Sequence, residues 1–109
     1  MSKKIEFDYE DKHYVLEYNR EAIKFMENEG FVLSEVDNKP AIMLDLAFKG
    51  AFYKNHKGIS LQKIAEIFDI LGDKQKLSAN LMAMINETYM SLLEDNKDNK
   101  EKNIVWKAV

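Results

Sequence analysis

The sequence predicts an α+β fold that is mainly helical: an N-terminal β-hairpin followed by about four helices, with a short C-terminal strand or arm. Residues 5–18 contain two short segments in which apolar and polar residues alternate, the period of a half-buried strand. Residues 19–93 then carry apolar residues at helical spacing, divided by residues that start or end helices. With 109 residues in total, the chain is long enough for one domain with its own core.

The predicted hairpin consists of residues 5–9 and 13–18. Pairing these segments around a loop at residues 11–12 places Phe7 opposite Leu16 and brings the apolar side chains to one face. The loop residues, Asp-Lys, lack the glycine that a tight primed turn prefers, so the pattern leaves the exact register open.

The first helix is bounded by a residue typical of each helix end. Asn19 is placed as the N-cap, and Gly30 supplies the left-handed residue that ends many helices. In such an end, the residue after the glycine folds back onto the last helical turn. We therefore expect Phe31 to pack against Met26 or against the stem of Glu27.

The second helix is predicted over residues 40–54, with Pro40 in its first turn. It is apolar on most sides, which is typical of a central helix, and the small residues Ala47, Gly50 and Ala51 would let a neighbour approach closely. We interpret it as the core helix.

The third helix is predicted to begin after an N-cap at Ser60 and to end at Gly72, and the fourth to run from about Asp73 to Leu93. Each has an apolar stripe that we expect to be buried. The stripe of the third helix comprises Leu61, Ile64, Ala65, Ile67, Phe68 and Leu71. The stripe of the fourth comprises Leu77, Leu81, Met84, Ile85, Tyr89 and Leu92.

The end of the chain changes character. Residues 95–103 contain no apolar side chain, so we expect a mobile charged linker after a single globular domain at residues 1–94. Residues 104–109, Ile-Val-Trp-Lys-Ala-Val, are apolar again and predict a C-terminal arm or strand. This segment could pair as a third strand beside the hairpin, or it could contact a neighbouring chain.

Composition excludes several function classes. The net charge of −3 and the single arginine, Arg20, are not those of a nucleic-acid binder, so we expect no nucleic-acid partner. The chain has no cysteine, which excludes disulfides and thiolate metal sites and favours a reducing compartment. No signal peptide or membrane-spanning run is expected, because the first residues lead directly into a strand pattern and no apolar stretch is long enough.

No catalytic, cofactor-binding or metal site is predicted, and we expect no cofactor and no enzymatic activity. The two histidines, His13 and His56, lie in different elements. Glu66, Asp69 and Asp73 could share a helix face, but lysines surround them, which favours a solvated charged face over an acid-base pair. The sequence contains no phosphate-binding loop, nucleophile elbow or zinc-ligand spacing.

Two features favour binding to another protein. Met82, Met84 and Met90 lie on the fourth helix without sharing one stripe, and methionine adapts to irregular binding surfaces. The alternative is that they fill a broad buried face in a bundle. Trp106 lies in an otherwise exposed terminus and needs a surface to cover it. These four residues are the candidate partner-binding site.

The order of the segments resembles a known family. The two predicted strands precede "YNREAIKFMENEGFVL" at 18–33, "FKGAFYKNHKGIS" at 48–60 and "DKQKLSANLMAMINETYMSLLED" at 73–95. This arrangement resembles the small tail assembly chaperones of siphophages and prophages of Gram-positive bacteria. The most specific elements are "IKFMENEGF" and "GAFYKNHK", in this order and at this spacing.

The resemblance implies a non-enzymatic protein that is similar in function to the tail assembly chaperone of phage lambda. Such a protein binds the tail tape measure protein, recruits the major tail tube protein and can self-associate. It acts in the host bacterial cytoplasm and is not expected in the mature virion. The alternative is a small phage or mobile-element adaptor that binds a host protein. A small hydrolase or nuclease would instead need polar side chains that converge in a pocket around His13 or His56.

Overall fold

The computed structural model describes residues 3–94 and 104–109. Within these residues the chain forms an antiparallel hairpin followed by four α-helices, so the predicted α+β, mainly helical fold is confirmed. The elements are β1 (Ile5–Tyr9), β2 (Lys12–Leu16), α1 (Arg20–Asn28), α2 (Pro40–Ala51), α3 (Leu61–Ile70) and α4 (Lys74–Ser91). A short 3-10 helix at Leu33–Glu35 lies between α1 and α2. The predicted linker at 95–103 lies outside the described residues.

The hairpin register differs from the predicted one by two residues. Phe7 lies opposite Tyr14, not Leu16, because a two-residue turn at Glu10 and Asp11 closes the hairpin earlier than predicted. Both turn residues adopt the left-handed backbone, with φ of 52° and 61°, without any glycine. A shift of two preserves the side-chain faces, so the rings of Phe7 and Tyr14 still stack, with their centroids 5.2 Å apart.

The outer edge of β2 is closed by the turn that follows α2. The Val15 N–H donates to Nε2 of His56 at 3.0 Å, and the Asn55 amide donates to the Val15 carbonyl at 3.0 Å. The Glu17 N–H donates to the Ala51 carbonyl at 3.1 Å. These bonds occupy the groups that a third strand would need at this edge. Residues 104–109 form no strand, and the sheet of the described residues has two strands.

The position of His56 predicts a pH dependence of stability. Burial, and then the charge of Lys12, lowers the pKa of His56 below its ordinary value of about 6.5. The unfolded chain therefore binds this proton more tightly, so the contribution of His56 to stability is lost as pH falls through 6.5 toward the lowered pKa. His13 has the opposite sign, because Asp8 and then Glu6 raise its pKa.

We expect His56→Gln to lose less stability than the wild type between about pH 7 and pH 5, because the amide can accept the Val15 N–H without titrating. Urea unfolding midpoints at the two pH values measure the difference. His13→Gln is the matched control and should lose more stability than the wild type over the same interval, since it removes the opposing titration. An identical pH dependence in the wild type and His56→Gln would mean that the titration of His56 does not contribute to the pH dependence of stability.

Helix α1 begins and ends as predicted. The Asn19 side chain accepts the N–H of Ala22 at 2.8 Å, and Gly30 has a φ of 109°. The Phe31 N–H then donates to the Met26 carbonyl at 2.9 Å, which returns the chain onto the last turn. Phe31 is only 2% exposed, so the helix end also supplies a core side chain.

Helix α2 is the central helix, and its small residues admit a neighbour as predicted. A Cβ at Gly50 would overlap the Cγ and Sδ atoms of Met26, so α1 and α2 approach closely at this position. Beside this contact the rings of Phe25 and Tyr53 stack with centroids 4.9 Å apart. The helix ends at Ala51, three residues before the predicted residue 54, because the chain turns there toward β2.

Helix α3 follows the predicted cap but not the whole predicted stripe. Ser60 accepts the N–H of Lys63 at 3.1 Å, and Ile64 and Ile67 are buried. Leu61 is 63% exposed and Ala65 is also exposed, so their predicted burial is wrong. The reason is that the core covers a narrower face of α3 than its apolar stripe.

Helix α4 starts at Lys74 with Asp73 as its N-cap. Asp73 has a φ of 51°, and its carboxylate accepts the N–H of Lys76 at 3.2 Å. Four residues of the predicted α4 stripe are buried, Leu77, Leu81, Met84 and Ile85, whereas Tyr89 and Leu92 are half-buried. No helix of the described residues is long and apolar enough to cross a membrane.

Candidate partner-binding site

The four candidate residues do not form one surface. Met84 is 3% exposed and lies in the core, so its side chain is enclosed by the protein itself. Met82 is half-buried, whereas Met90 is 72% and Trp106 80% exposed. Helix geometry explains the division, because a turn of 3.6 residues places Met84 about 200° around α4 from Met82. Met90 and Trp106 are the candidates that remain open to a partner.

The end of α4 is the most exposed apolar part of the helical body. Met90 is 72% exposed, and Leu93, three residues further along the chain, is 90% exposed. Next to Met90 lies a cleft of about 540 Å³ between the start of α1 and the end of α4, lined by residues 18–20 and by parts of 87–94. We call Met90, Leu93 and this cleft the α4 end surface.

A hydrogen bond between side chains joins α4 to α1 close to the α4 end surface. The Tyr89 hydroxyl donates to the Glu27 carboxylate at 2.6 Å and so connects α4 to α1. Burial, followed by this carboxylate, raises the pKa of Tyr89, which keeps the hydroxyl protonated as the donor. Arg20 and Glu87 line the cleft with opposite charges. The surface therefore offers apolar side chains between polar ones, which suits an amphipathic partner segment.

The two histidines lie apart and have different surroundings. His13 lies on the exposed face of the hairpin, with Nδ1 2.7 Å from the Asp8 carboxylate and Nε2 2.9 Å from that of Glu6. When His13 is protonated this is a cross-strand ion-pair group. His56 holds the edge of β2. The sequence could not place Val15 beside His56, because the two lie far apart in the chain.

The acidic residues of α3 and α4 also serve different elements. Glu66 accepts the hydroxyl of Tyr9, which connects α3 to the hairpin and raises the pKa of Tyr9 to about 12. Lys63 pairs with both Glu66 and Glu10, at 3.3 and 2.7 Å. Asp73 caps α4. Across residues 3–94 and 104–109, no cluster of three or more histidine and acidic side chains is arranged to hold a metal ion.

A second concave surface was missed by the sequence analysis. It is a groove of about 420 Å³ between α2 and α3. Its apolar walls include Leu61 and Ala65, the two residues of the α3 stripe that the core leaves exposed. The signal that could have indicated it is the width of the apolar stripe, which exceeds what one neighbouring helix can cover.

The two segments "IKFMENEGF" and "GAFYKNHK" lie against each other in the fold. The first forms most of α1 and its glycine end, and the second forms the end of α2 and the turn that closes β2. Met26 lies over Gly50, and Phe25 stacks on Tyr53. The segments that carry the sequence resemblance therefore constitute one packing unit.

A protein-family model, described as a domain of unknown function, matches residues 1–109. The chain belongs to the DUF5055 family. Comparison of this DUF5055 protein with curated proteins and with solved structures finds no match. The family description assigns no activity.

Proposed function

We propose that this DUF5055 protein is a non-enzymatic tail assembly chaperone of a siphophage or prophage. It binds the tail tape measure protein and recruits the major tail tube protein, in the host cytoplasm and not in the finished virion. The observation that carries the proposal is the pair "IKFMENEGF" and "GAFYKNHK", at the order and spacing of that family. The two segments pack against each other through Met26 and Gly50, which supports treating them as a single structural feature of the resemblance.

The surfaces of the protein are compatible with a long helical client. The α4 end surface presents Met90 and Leu93 to solvent, and methionine adapts to varied apolar partners. An amphipathic helix that lies across such a surface places apolar side chains on Met90 and Leu93 and polar ones near Arg20 and Glu87. A net charge of −3 favours solubility at high expression.

A binding experiment tests the proposal through the α4 end surface. We expect the tagged protein to retain the tape measure protein of the same genome during affinity purification from a co-expressing cell. The double variant Met90→Gln, Leu93→Gln should weaken this affinity roughly tenfold or more, because it removes two apolar side chains that the client would cover.

The matched control is Ile70→Gln, which changes an exposed apolar residue on α3, away from the α4 end surface. It should retain the tape measure protein as the wild type does. Failure of the wild type to retain the tape measure protein would contradict the proposed function. Equal losses in the double variant and the control would contradict the assignment to the α4 end surface.

A further inference from the structure

The groove between α2 and α3 is an apolar surface that the described residues leave open to solvent. Its walls are formed by Leu44 and Phe48 of α2 and by Leu61, Ala65 and Phe68 of α3. Its volume of about 420 Å³ lies in the range of clefts that bind small molecules, roughly 300–1,000 Å³. Leu61 is exposed because the described residues leave this side of the groove open.

The chain itself contains an exposed segment of matching chemistry. Ile104, Val105, Trp106 and Val109 are all exposed, so the body formed by residues 3–94 does not cover them. An exposed tryptophan next to aliphatic residues gains a large apolar contact area when another surface covers it. Residues 104–109 are called the C-terminal arm below.

Charge adds complementarity between the groove and the arm. The groove is lined by Asp45 and Asp69, and the arm carries Lys107 next to Trp106. Lys49 also lines the groove and pairs with Asp45 at 2.9 Å. The Lys74 ammonium group donates to the backbone carbonyl of Asp69 at 3.3 Å, whereas the Asp69 carboxylate makes no ion pair within residues 3–94 and 104–109. Asp69 can therefore receive the ammonium group of Lys107 while the indole enters the apolar part of the groove.

The hairpin offers the arm a poorer site. At the outer edge of β2 the Val15 N–H and carbonyl are already bonded to His56 and Asn55, so strand addition there would break these bonds. At the free edge of β1, the side chains of Glu6 and Asp8 are charged and exposed. Charged side chains of this kind discourage pairing at a strand edge.

We propose that the C-terminal arm of a second copy of this chain occupies the α2–α3 groove, with Trp106 against Leu61 and Ala65 and Lys107 at Asp69. In a two-fold dimer each copy fills the groove of the other. Two arms of this length bury an area near the lower end of stable interfaces, about 1,200 Å², so the association is reversible and depends on concentration. The inference does not depend on the proposed chaperone function.

Light scattering and tryptophan fluorescence together test whether the C-terminal arm mediates self-association. Trp106 is the only tryptophan, so its emission reports directly on the arm. As the concentration of the full chain rises, the mass should approach twice that of the monomer, and the emission should shift to shorter wavelength. Deletion of residues 104–109 and the variant Ala65→Glu should each weaken self-association at least about tenfold. Ile70→Gln should associate as the wild type does, and all variants should keep the helical circular dichroism signal.

Two further experiments identify the surface that the C-terminal arm contacts. The truncated chain supplies an intact groove and Ala65→Glu an intact arm, so a mixture of the two should form one of the two arm–groove contacts. The mixture should associate more strongly than either variant alone and more weakly than the wild type. Asp69→Lys and Lys107→Asp should each weaken association, and the variant that carries both should recover it.

A full chain that stays monomeric at every concentration would overturn the proposal. This holds whether the emission of Trp106 shows that it is buried on its own chain or fully exposed. Self-association that survives deletion of residues 104–109 places the interface elsewhere. The groove is excluded as the docking site by a loss in Ile70→Gln equal to that in Ala65→Glu, by a mixture that associates no more strongly than either variant alone, or by no recovery in the double charge variant.

Discussion

Replacing Phe31 by alanine is expected to lower the free energy of unfolding by roughly 3–5 kcal/mol, the usual cost of removing a buried phenylalanine side chain. Phe31 is among the largest fully buried side chains and follows the glycine that ends α1. Its N–H also donates to Met26, so the ring holds the end of α1 against the core. Because domains of this kind are stable by only about 5–15 kcal/mol, the variant should unfold at a much lower urea concentration.

The adjacent residue provides the control for this change. Val32 is about half exposed, so Val32→Ala should cost less than about 1 kcal/mol in the same urea titration. Similar losses in the two variants would mean that the cost comes from the loop and not from the buried ring. A Phe31→Ala variant as stable as the wild type would contradict the described helix end.

Gly50→Ala is expected to destabilise the protein although it places a better helix former in α2. The new methyl group would overlap the Cγ and Sδ atoms of Met26, which is fully buried, so the Met26 side chain would have to shift within the packed core. Overpacking of this kind costs about 1–3 kcal/mol, against a helix-propensity gain of up to about 1 kcal/mol. Chemical denaturation of the variant measures the net loss.

Two comparisons isolate the close approach of α1 and α2. Gly58→Ala adds the same methyl group where nothing lies within 4 Å, so it should change stability little. Combining Gly50→Ala with Met26→Ala should cost less than the sum of the single changes, since the shorter side chain makes room for the methyl group. Stabilisation by Gly50→Ala, or strict additivity in the double variant, would contradict the contact.

The features that could be predicted are those whose causes are local. Helix ends are formed by groups within a few residues of each other, so they can be predicted from the sequence. Examples are the caps at Asn19 and Ser60 and the glycine end at Gly30. The hairpin faces were also predictable, whereas the register was not. Glu10 and Asp11 both adopt a left-handed backbone that their residue types only weakly indicate.

The features that could not be predicted depend on which neighbour covers which face. An apolar stripe shows that Ile64 and Leu61 favour burial, but it does not show that the core encloses Ile64 and leaves Leu61 beside an open groove. The bond between Val15 and His56 likewise depends on the path of the whole chain between them. Helical periodicity gives the direction of a side chain relative to its own helix and not the position of the other helices.

The solubility of the tape measure protein is the sharpest measure of the proposed chaperone function. That protein should be produced with and without the DUF5055 protein, and its amount should be measured in the soluble and the pelleted fractions. Co-production should move most of the tape measure protein into the soluble fraction, in a complex with the DUF5055 protein. An unchanged distribution, with the DUF5055 protein itself soluble and free, would contradict the chaperone function.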